Sequence, residues 1–302
     1  MRIPSAMMPL QATTDRCAAR IAPAIALCGL LAGLCAASAQ ASEGRLLGVS
    51  GLASLEGAGG GGMTAWALLA GHAEAGERSL GANLSYVGTG EFDVLAGSVN
   101  AVWNNRWELS LSSQQLNLDT LVEQGVSNQA DLRLDTLGLK LRLGGDPVYG
   151  RLGQLSAGMQ FKRNADFELA RLAGAERDHG IDAYLAWTRA WIDGPFHRSW
   201  VLSATLRASQ AHQTGFLGFD NDYRYNGEGA IAMFLNERWL IGAEYRNKPD
   251  RLAFAAEDDW ADAFLLWLPS KRWQMAVAYV DLGDIGGVAD QRGWYLTVQF
   301  ND

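Results

Sequence analysis

Residues 102–112 read VWNNRWELSLS, a short polar turn followed by a strict alternation of apolar and polar side chains. After the turn, apolar positions 107, 109 and 111 alternate with polar positions 108, 110 and 112. A period of two puts successive side chains on opposite faces of a β-strand, whereas the apolar residues of a helix recur every three or four positions. The stretch therefore predicts a strand with one apolar and one polar face, entered through a tight turn.

The same alternation continues from about residue 45 to the carboxy terminus. It is clear over residues 154–162, 200–209 and 239–246. Such strands are longer than the about five or six residues typical of globular sheets, and they match the roughly 9 to 11 residues with which a tilted strand crosses a bilayer. We therefore predict an all-β fold, a transmembrane antiparallel up-and-down β-barrel.

One strand carries a change in its leucine pattern. Its leucines fall at 132 and 134, and then at 137, 139, 141 and 143. A change of parity within a strand is typical of a β-bulge. We expect the bulge between Asp135 and Thr136.

Tryptophan recurs directly after short turns. Three turns end in the dipeptide Arg-Trp, at Trp107, Trp239 and Trp273, and a looser copy precedes Trp200. Tryptophans at the first position of several strands form a ring at one height, and a membrane interface stabilises such a girdle. A soluble barrel with these indoles in its core is the alternative. It is disfavoured because its other face would bury charged side chains such as Lys140.

The connections between the predicted strands alternate between short and long. The longer, polar connections cover about residues 119–128, 164–178, 211–221, 247–258 and 281–290. Outer-membrane barrels have short periplasmic turns and longer external loops. The turns that end in tryptophan are therefore predicted to face the periplasm.

The number of strands has two solutions. Thirteen strand-like segments lie between residues 64 and 300, and residues 45–55 supply one more, connected through the glycines at 57 and 59–62. Bacterial single-chain barrels have even strand numbers, so about 14 strands is the preferred count. Twelve is the alternative, if the amino-terminal piece folds into the lumen as a plug and one weak segment is not a strand.

The amino terminus has the organisation of a signal peptide. Arginines up to Arg20 precede an apolar stretch at residues 24–37, and small residues follow it. We expect residues 1–41 to be cleaved and residues 42–302 to form a single barrel domain. An uncleaved anchor is disfavoured, because about 14 apolar residues are fewer than the roughly 20 that span a bilayer.

Composition narrows the compartment and the partners. All three cysteines lie in the predicted signal peptide, at Cys17, Cys28 and Cys35. The formal net charge of the chain is -8, which makes nucleic acid a poor partner. We predict the outer membrane of a Gram-negative bacterium, with outer-membrane lipid and lipopolysaccharide around the barrel, and leave the oligomeric state open.

The last predicted strand resembles the carboxy-terminal signal that the barrel assembly machinery recognises. The signal consists of a polar residue, a glycine and spaced hydrophobic residues ending in an aromatic one. The matching residues are Gln291, Gly293, Leu296, Val298 and Phe300. Trp294, Leu296, Val298 and Phe300 would face lipid, and Tyr295, Thr297 and Gln299 would face inward.

The predicted inward face mixes charges of both signs. The candidate lumen-lining residues are Glu108, Asp131, Arg133, Lys140, Arg142, Lys162, Arg207, Glu228, Glu244 and Arg246. Such side chains narrow a water-filled pore or pair with each other and close it. We predict a narrow, porin-like channel for small polar solutes. The alternative is a non-conducting structural barrel whose long loops bind a partner.

Signs of catalysis, metal or cofactor binding are weak. None of the four histidines has a second histidine at metal-ligand spacing. A rim hydrolase using His179 with Asp178 or Asp182, or His212 with Asp220 or Asp222, is a further alternative. We expect no enzyme activity, no cofactor and no metal, and interpret the acidic residues at 220–222 and 257–259 as solvated loop charge.

Four segments carry a family resemblance. They are residues 56–66, with Glu56-Gly57, the glycines at 59–62 and Trp66, and residues 242–250, 278–283 and 290–295. Together they resemble a proteobacterial family of unknown function whose members are regarded as outer-membrane β-barrel proteins. The resemblance implies location and fold, and it brings no catalytic residues.

Overall fold

The computed structural model describes residues 50–123, 125, 129–249, 251 and 257–302. The predicted signal peptide, residues 1–41, and the first part of the predicted strand at residues 45–55 lie outside this range.

The described residues form β-strands with a few short helices. The strands are β1 (Leu52–Ala53), β2 (Gly59–Gly60), β3 (Arg78–Gly88), β4 (Asp93–Trp103), β5 (Trp107–Asn117), β6 (Asp131–Gly145), β7 (Gln154–Asn164), β8 (His179–Trp191), β9 (Trp200–Ala211), β10 (Phe219–Asn236), β11 (Trp239–Arg246), β12 (Trp260–Trp267), β13 (Trp273–Asp281) and β14 (Arg292–Asn301). The helices are α1 (Asp119–Glu123), α2 (Phe167–Leu172) and the 3₁₀ turns Pro195–His197 and Gln213–Gly215. No helix among the described residues is long and apolar enough to span a membrane.

Twelve antiparallel strands, β3 to β14, close into a barrel. Neighbours in sequence are neighbours in the sheet, and β14 pairs with β3, with Trp294 opposite Gly88, to close it. Closure removes the exposed edges that an open sheet would present. This confirms the predicted all-β antiparallel barrel.

Apolar side chains lie on the outer face of the barrel and polar ones inside. In β5, Leu109 and Leu111 are exposed, whereas Ser110 and Ser112 are buried. The side chain of Leu111 is 51% exposed. A continuous apolar outer face is costly in water and stable in lipid. The arrangement is the reverse of a soluble barrel and excludes tryptophans gathered in a soluble core.

The amino-terminal residues fill the lumen. Every residue from 50 to 73 is buried except the half-buried Leu55. We call residues 50–73 the plug. Its strands β1 and β2 pair only with each other in the sheet, and at Gly60 a side chain is excluded, because a Cβ there would lie 1.9 Å from the Thr64 carbonyl oxygen.

The plug explains the strand count. Residues 64–73 stand at the start of the range in which thirteen strands were predicted. They lie inside the barrel, as does the part of residues 45–55 that the structure describes. Twelve, the alternative that included a plug, is therefore the observed number, and 14 is not. Glycines allow another part of the backbone to approach closely, which suits a segment packed inside the barrel better than a strand of its wall.

The predicted bulge between Asp135 and Thr136 is wrong. β6 pairs with β5 without interruption from Asp131 to Leu141, and its irregularity lies between Arg142 and Gly144 on the β7 side. The leucines at 132 and 134 point inward and are buried. The parity of leucine changes because the lumen itself becomes apolar there, and the register does not shift.

The connections at the two barrel ends differ. One end, the short-turn end, has the connections 104–106, 146–153, 192–199, 237–238 and 268–272. The other, the long-loop end, has 89–92, 118–130, 165–178, 212–218, 247–259 and 282–291. The predicted alternation holds in part: 89–92 and 212–218 at this end are shorter than 146–153 and 192–199 at the short-turn end.

Candidate functional site in the barrel lumen

Three groups of charged wall side chains bind the plug, and the first surrounds Glu56. The carboxylate of Glu56 lies 2.7 Å from Lys162 Nζ, 3.1 Å from Arg246 Nη1 and 3.2 Å from Arg207 Nη1. The three cations project from β7, β11 and β9, and all four side chains are buried. One plug carboxylate thus connects three strands of the wall.

Two wall carboxylates complete this cluster. Asp182 lies 2.7 Å from Lys162 and 3.5 Å from Arg207, and Glu228 lies 2.6 Å from Arg207 and 3.6 Å from Arg246. The cluster therefore contains three acids and three bases. Buried charges are tolerated when paired and hydrogen-bonded in this way.

The second group joins β5 and β6 to the plug backbone. Glu108 accepts hydrogen bonds from the amides of Gly59 (2.9 Å) and Ala70 (2.7 Å). Lys140 Nζ donates to the carbonyls of Gly59 (2.5 Å) and Leu68 (3.0 Å) and lies 3.7 Å from Glu108. The pair satisfies backbone groups that would otherwise be buried without partners.

The third group is centred on Glu244 of β11. Its carboxylate accepts hydrogen bonds from the Met63 amide (2.8 Å), the Trp66 indole (2.9 Å) and the Thr64 hydroxyl. The next strand places Asp262 directly opposite, where its carboxylate accepts the Glu244 amide at 3.1 Å. Trp66 belongs to the plug and not to the outer girdle.

Most candidate lumen residues meet at the plug. The buried members with plug or cluster contacts are Glu108, Lys140, Lys162, Arg207, Glu228, Glu244 and Arg246. Positive and negative side chains are mixed in the lumen as expected, but they bind the plug, a segment of the same chain.

Asp131 and Arg133 do not line the lumen. They share the outward parity of β6, because Leu132 and Leu134 between them are the inward residues. The Arg133 guanidinium is exposed and lies 2.9 Å from Asp135. The expectation for these two residues is wrong because it assumed a bulge that is absent.

Arg142 lies at the end of the polar lumen. It is half-buried near the short-turn end, 3.9 Å from Asp146, and donates to the carbonyl of Gly145. It contacts the turn rather than the plug.

Sequence reasoning missed Glu56, Asp182 and Asp262 as lumen charges. Asp182 was considered only as a partner for His179, although its parity along β8 places it inward beside the buried Tyr184. Strand parity alone would have found it. Nothing local marks Glu56, because its partners lie on distant strands.

The four predicted girdle tryptophans lie at the short-turn end. Trp107, Trp200, Trp239 and Trp273 are the first residues of β5, β9, β11 and β13. Trp239 stacks on Trp267 with ring centroids 5.6 Å apart. All four are at least partly exposed on the outer face. Their exposure and common position at strand starts agree with an interface role, which remains a prediction.

The residues of the predicted assembly signal are in and beside β14. Leu296 and Val298 are exposed on the outer face, Phe300 packs edge-on against Trp273 at 5.1 Å, and Gln291 is buried just before the strand. Gly293 opposes Val280 of β13. Recognition by assembly machinery remains a prediction.

A cavity of about 210 Å³ lies above the plug at the long-loop end. Glu56 and Arg246 border it, together with Leu55 and Met63 of the plug. Its walls are mostly apolar and include Leu116, Leu132, Phe216, Val280, Leu282 and Ile285. The lumen thus combines charged groups with apolar packing around the plug and is mostly apolar at the long-loop end.

Lys248 is buried in the loop that follows β11. Its ammonium donates to Gln213 Oε1 (3.3 Å) and lies 5.1 Å from the ring centre of Trp260. Burial lowers the pKa of Lys248 to about 8, although Glu257 acts in the opposite direction. Burial raises the pKa of Asp259, but hydrogen bonds from Tyr245 and from the Lys248 amide outweigh it and lower the pKa overall.

The histidines considered for a hydrolase lie near acidic residues at the long-loop end. His212 Nε2 is 2.7 Å from Asp220 Oδ2, which is also 3.8 Å from Arg251. His179 Nδ1 is 2.6 Å from its neighbour Asp178, and this hydrogen bond lowers the pKa of Asp178. In the part of the chain that the structure describes, no group of three metal-ligating side chains occurs.

Solved structures with a similar fold are outer-membrane proteins. The NanC porin shares 12% identity, covering 73% of this chain and 98% of that chain, with a TM-score of 0.46. The KdgM porin has the same identity and coverage with a TM-score of 0.45. An outer-membrane channel from Pseudomonas putida F1 shares 10% identity over 74% of this chain and 94% of that chain, with a TM-score of 0.44.

Among curated proteins, none matches this chain significantly. A family described as "Protein of unknown function (DUF3034)" matches residues 49–299. This match confirms the resemblance to a family of unknown function, and the chain belongs to that family.

Proposed function

We propose that the protein is an outer-membrane channel that its own plug closes and that conducts when the plug is displaced. The observation that carries the proposal is the way the plug is held. Its polar contacts with the wall are hydrogen bonds and ion pairs to side chains, and its apolar residues, such as Leu52 and Leu68, pack against wall side chains. The barrel sheet is complete without it. The plug can therefore leave the lumen without breaking a strand pair of the barrel.

The charged cluster supports small polar solutes as the transported class. When the plug is in place, the cations of the cluster face Glu56 and two wall carboxylates. When it leaves, these side chains would border a water-filled path and set its selectivity. With Glu56 gone, the wall retains more positive than negative charge at this level, so small anions should pass more readily than cations.

A reversible disulfide between plug and wall tests this proposal. A Cβ built on Gly57 lies 3.1 Å from the Ser112 Cβ, slightly closer than the about 3.5–4.5 Å found in disulfides. Gly57 has φ +88°, so cysteine there costs roughly 1–2 kcal/mol. The predicted mature chain has no other cysteine, and the bond should form specifically.

Planar-bilayer recordings would compare Gly57→Cys/Ser112→Cys with Ser112→Cys alone. We expect steps of conductance from the double variant under reducing conditions and none after oxidation, with the single variant insensitive to oxidation. Equal conductance in both states would show that the plug is not the gate. Absence of steps in the wild type and in the reduced variant would favour the non-conducting barrel.

A further inference from the structure

Three buried hydrogen-bond donors border the apolar cavity without a partner. They are Gln114 Nε2, Gln213 Nε2 and Trp260 Nε1, and among the described residues none of them has an acceptor within hydrogen-bonding distance and geometry. The side chains of Gln114 and Gln213 are only 3% and 5% exposed. An unsatisfied buried donor is unfavourable, and native proteins rarely keep several around one space.

The orientation of two of these donors is well defined. Gln213 Oε1 accepts the hydrogen bond from Lys248, which leaves the amide nitrogen of Gln213 as the group available to the cavity. The indole nitrogen of Trp260 is a donor and has no acceptor function. A bound group that satisfies them must therefore supply acceptors, such as oxygen atoms.

The charge around the cavity indicates that the bound molecule is uncharged. Glu56 and Arg246 border the cavity, but they already pair with each other at 3.1 Å within a cluster of balanced charge. A charged ligand would lose its hydration without finding a free counter-charge here.

The size of the cavity limits the ligand to about one ring. Its volume of about 210 Å³ exceeds the roughly 150 Å³ of an apolar cavity that accepts benzene. A one-ring molecule with a small substituent fits this volume.

We propose that the cavity at the long-loop end is a binding site for a small one-ring molecule with an apolar body and an uncharged oxygen acceptor. The apolar walls would bind the ring, and one or two of the donors of Gln114, Gln213 and Trp260 would bind the oxygen. This site goes beyond the channel function and does not require the plug to move.

Isothermal titration calorimetry with two matched probes tests the site. Acetophenone carries a carbonyl oxygen, and ethylbenzene has nearly the same shape without it. On the full barrel in lipid nanodiscs, we expect saturable binding of both, with acetophenone at least fivefold tighter, as one or more added hydrogen bonds predict. Leu282→Trp, which fills the cavity from a loop, should remove the saturable heat of both and so provides the blank for partition into lipid.

Variants of the donors separate the two parts of the proposal. Gln114→Leu/Gln213→Leu/Trp260→Phe, which removes all three donors, should bind the two probes with nearly equal affinity. Gln115→Leu, at a neighbouring exposed position, should keep the preference. Equal binding of both probes by the wild type would mean that water satisfies the donors and would overturn the acceptor requirement. Heat that Leu282→Trp does not reduce would overturn the site itself. Either result leaves the conductance test of the plug unaffected.

Discussion

Replacing Glu56 by glutamine leaves three buried cations facing a neutral amide. Removing one partner of a buried ion pair costs about 3–5 kcal/mol. Asp182 and Glu228 still face the same cations, so we take the lower end, about 3 kcal/mol. This corresponds to a change on the order of a hundredfold in the equilibrium for plug release.

The Glu56→Gln substitution should not reduce the stability of the barrel strands themselves. Glu56 contributes no strand pair to the barrel, which is closed between β14 and β3. The penalty therefore falls on the docking of the plug, and the barrel sheet keeps its hydrogen bonds. Regional opening free energies of this kind are measured by amide hydrogen exchange.

Hydrogen exchange with mass spectrometry would compare wild type, Glu56→Gln and Glu237→Gln in lipid. For Glu56→Gln we expect plug peptides to exchange on the order of a hundredfold faster, with strand peptides unchanged. Glu237, exposed in the turn before β11, is the matched control and should have no effect. Unchanged exchange in the plug, or equal acceleration in the strands, would refute the idea that Glu56 holds the plug independently of the wall.

Two other predictions concern the outer face and the loops. Leu111→Arg should destabilise the barrel folded in lipid vesicles by about 2–4 kcal/mol, because it places a charge on the lipid face. Leu172→Arg, on the exposed helix α2, should not destabilise it. Equal effects of the two substitutions would contradict the assignment of the outer face. Lys248 has its pKa lowered from 10.5 to about 8, so the folded loop disfavours its charged form and gains stability as pH rises from about 8 toward 10.5. Proteolysis of the loop should slow over that range, and Lys248→Met should remove the dependence; a variant with the same slope would exclude Lys248 as its cause.

The outer face was predictable from sequence, and the contents of the lumen were not. Lipid requires an apolar side chain at every outward position, so residues such as Leu109 and Leu111 repeat with period two. This pattern is recognisable from the local sequence alone. Inward positions meet whatever fills the barrel. Glu56 meets partners 106 and 190 residues away along the chain, a separation that no local pattern reports.

The error at β6 has the same origin. A uniformly polar lumen would make Leu132 and Leu134 outward residues and require a bulge. The lumen is instead apolar at the level of these leucines, which pack with Leu116, Phe216 and Phe219. The positions of the four tryptophans at strand starts were predictable because the turns before them are local in sequence, and their interface role stays a prediction.

The connection between the plug and the closing seam has a consequence for the order of folding. The plug leads directly into β3, and the amide of Ala53 donates to Gln299 of β14 at 2.5 Å. Since β14 pairs with β3 to close the sheet, a docked plug also holds the closing strand beside its partner through Gln299. We expect the plug to dock before β14 pairs with β3, so that contacts with the plug help to position the closing strand.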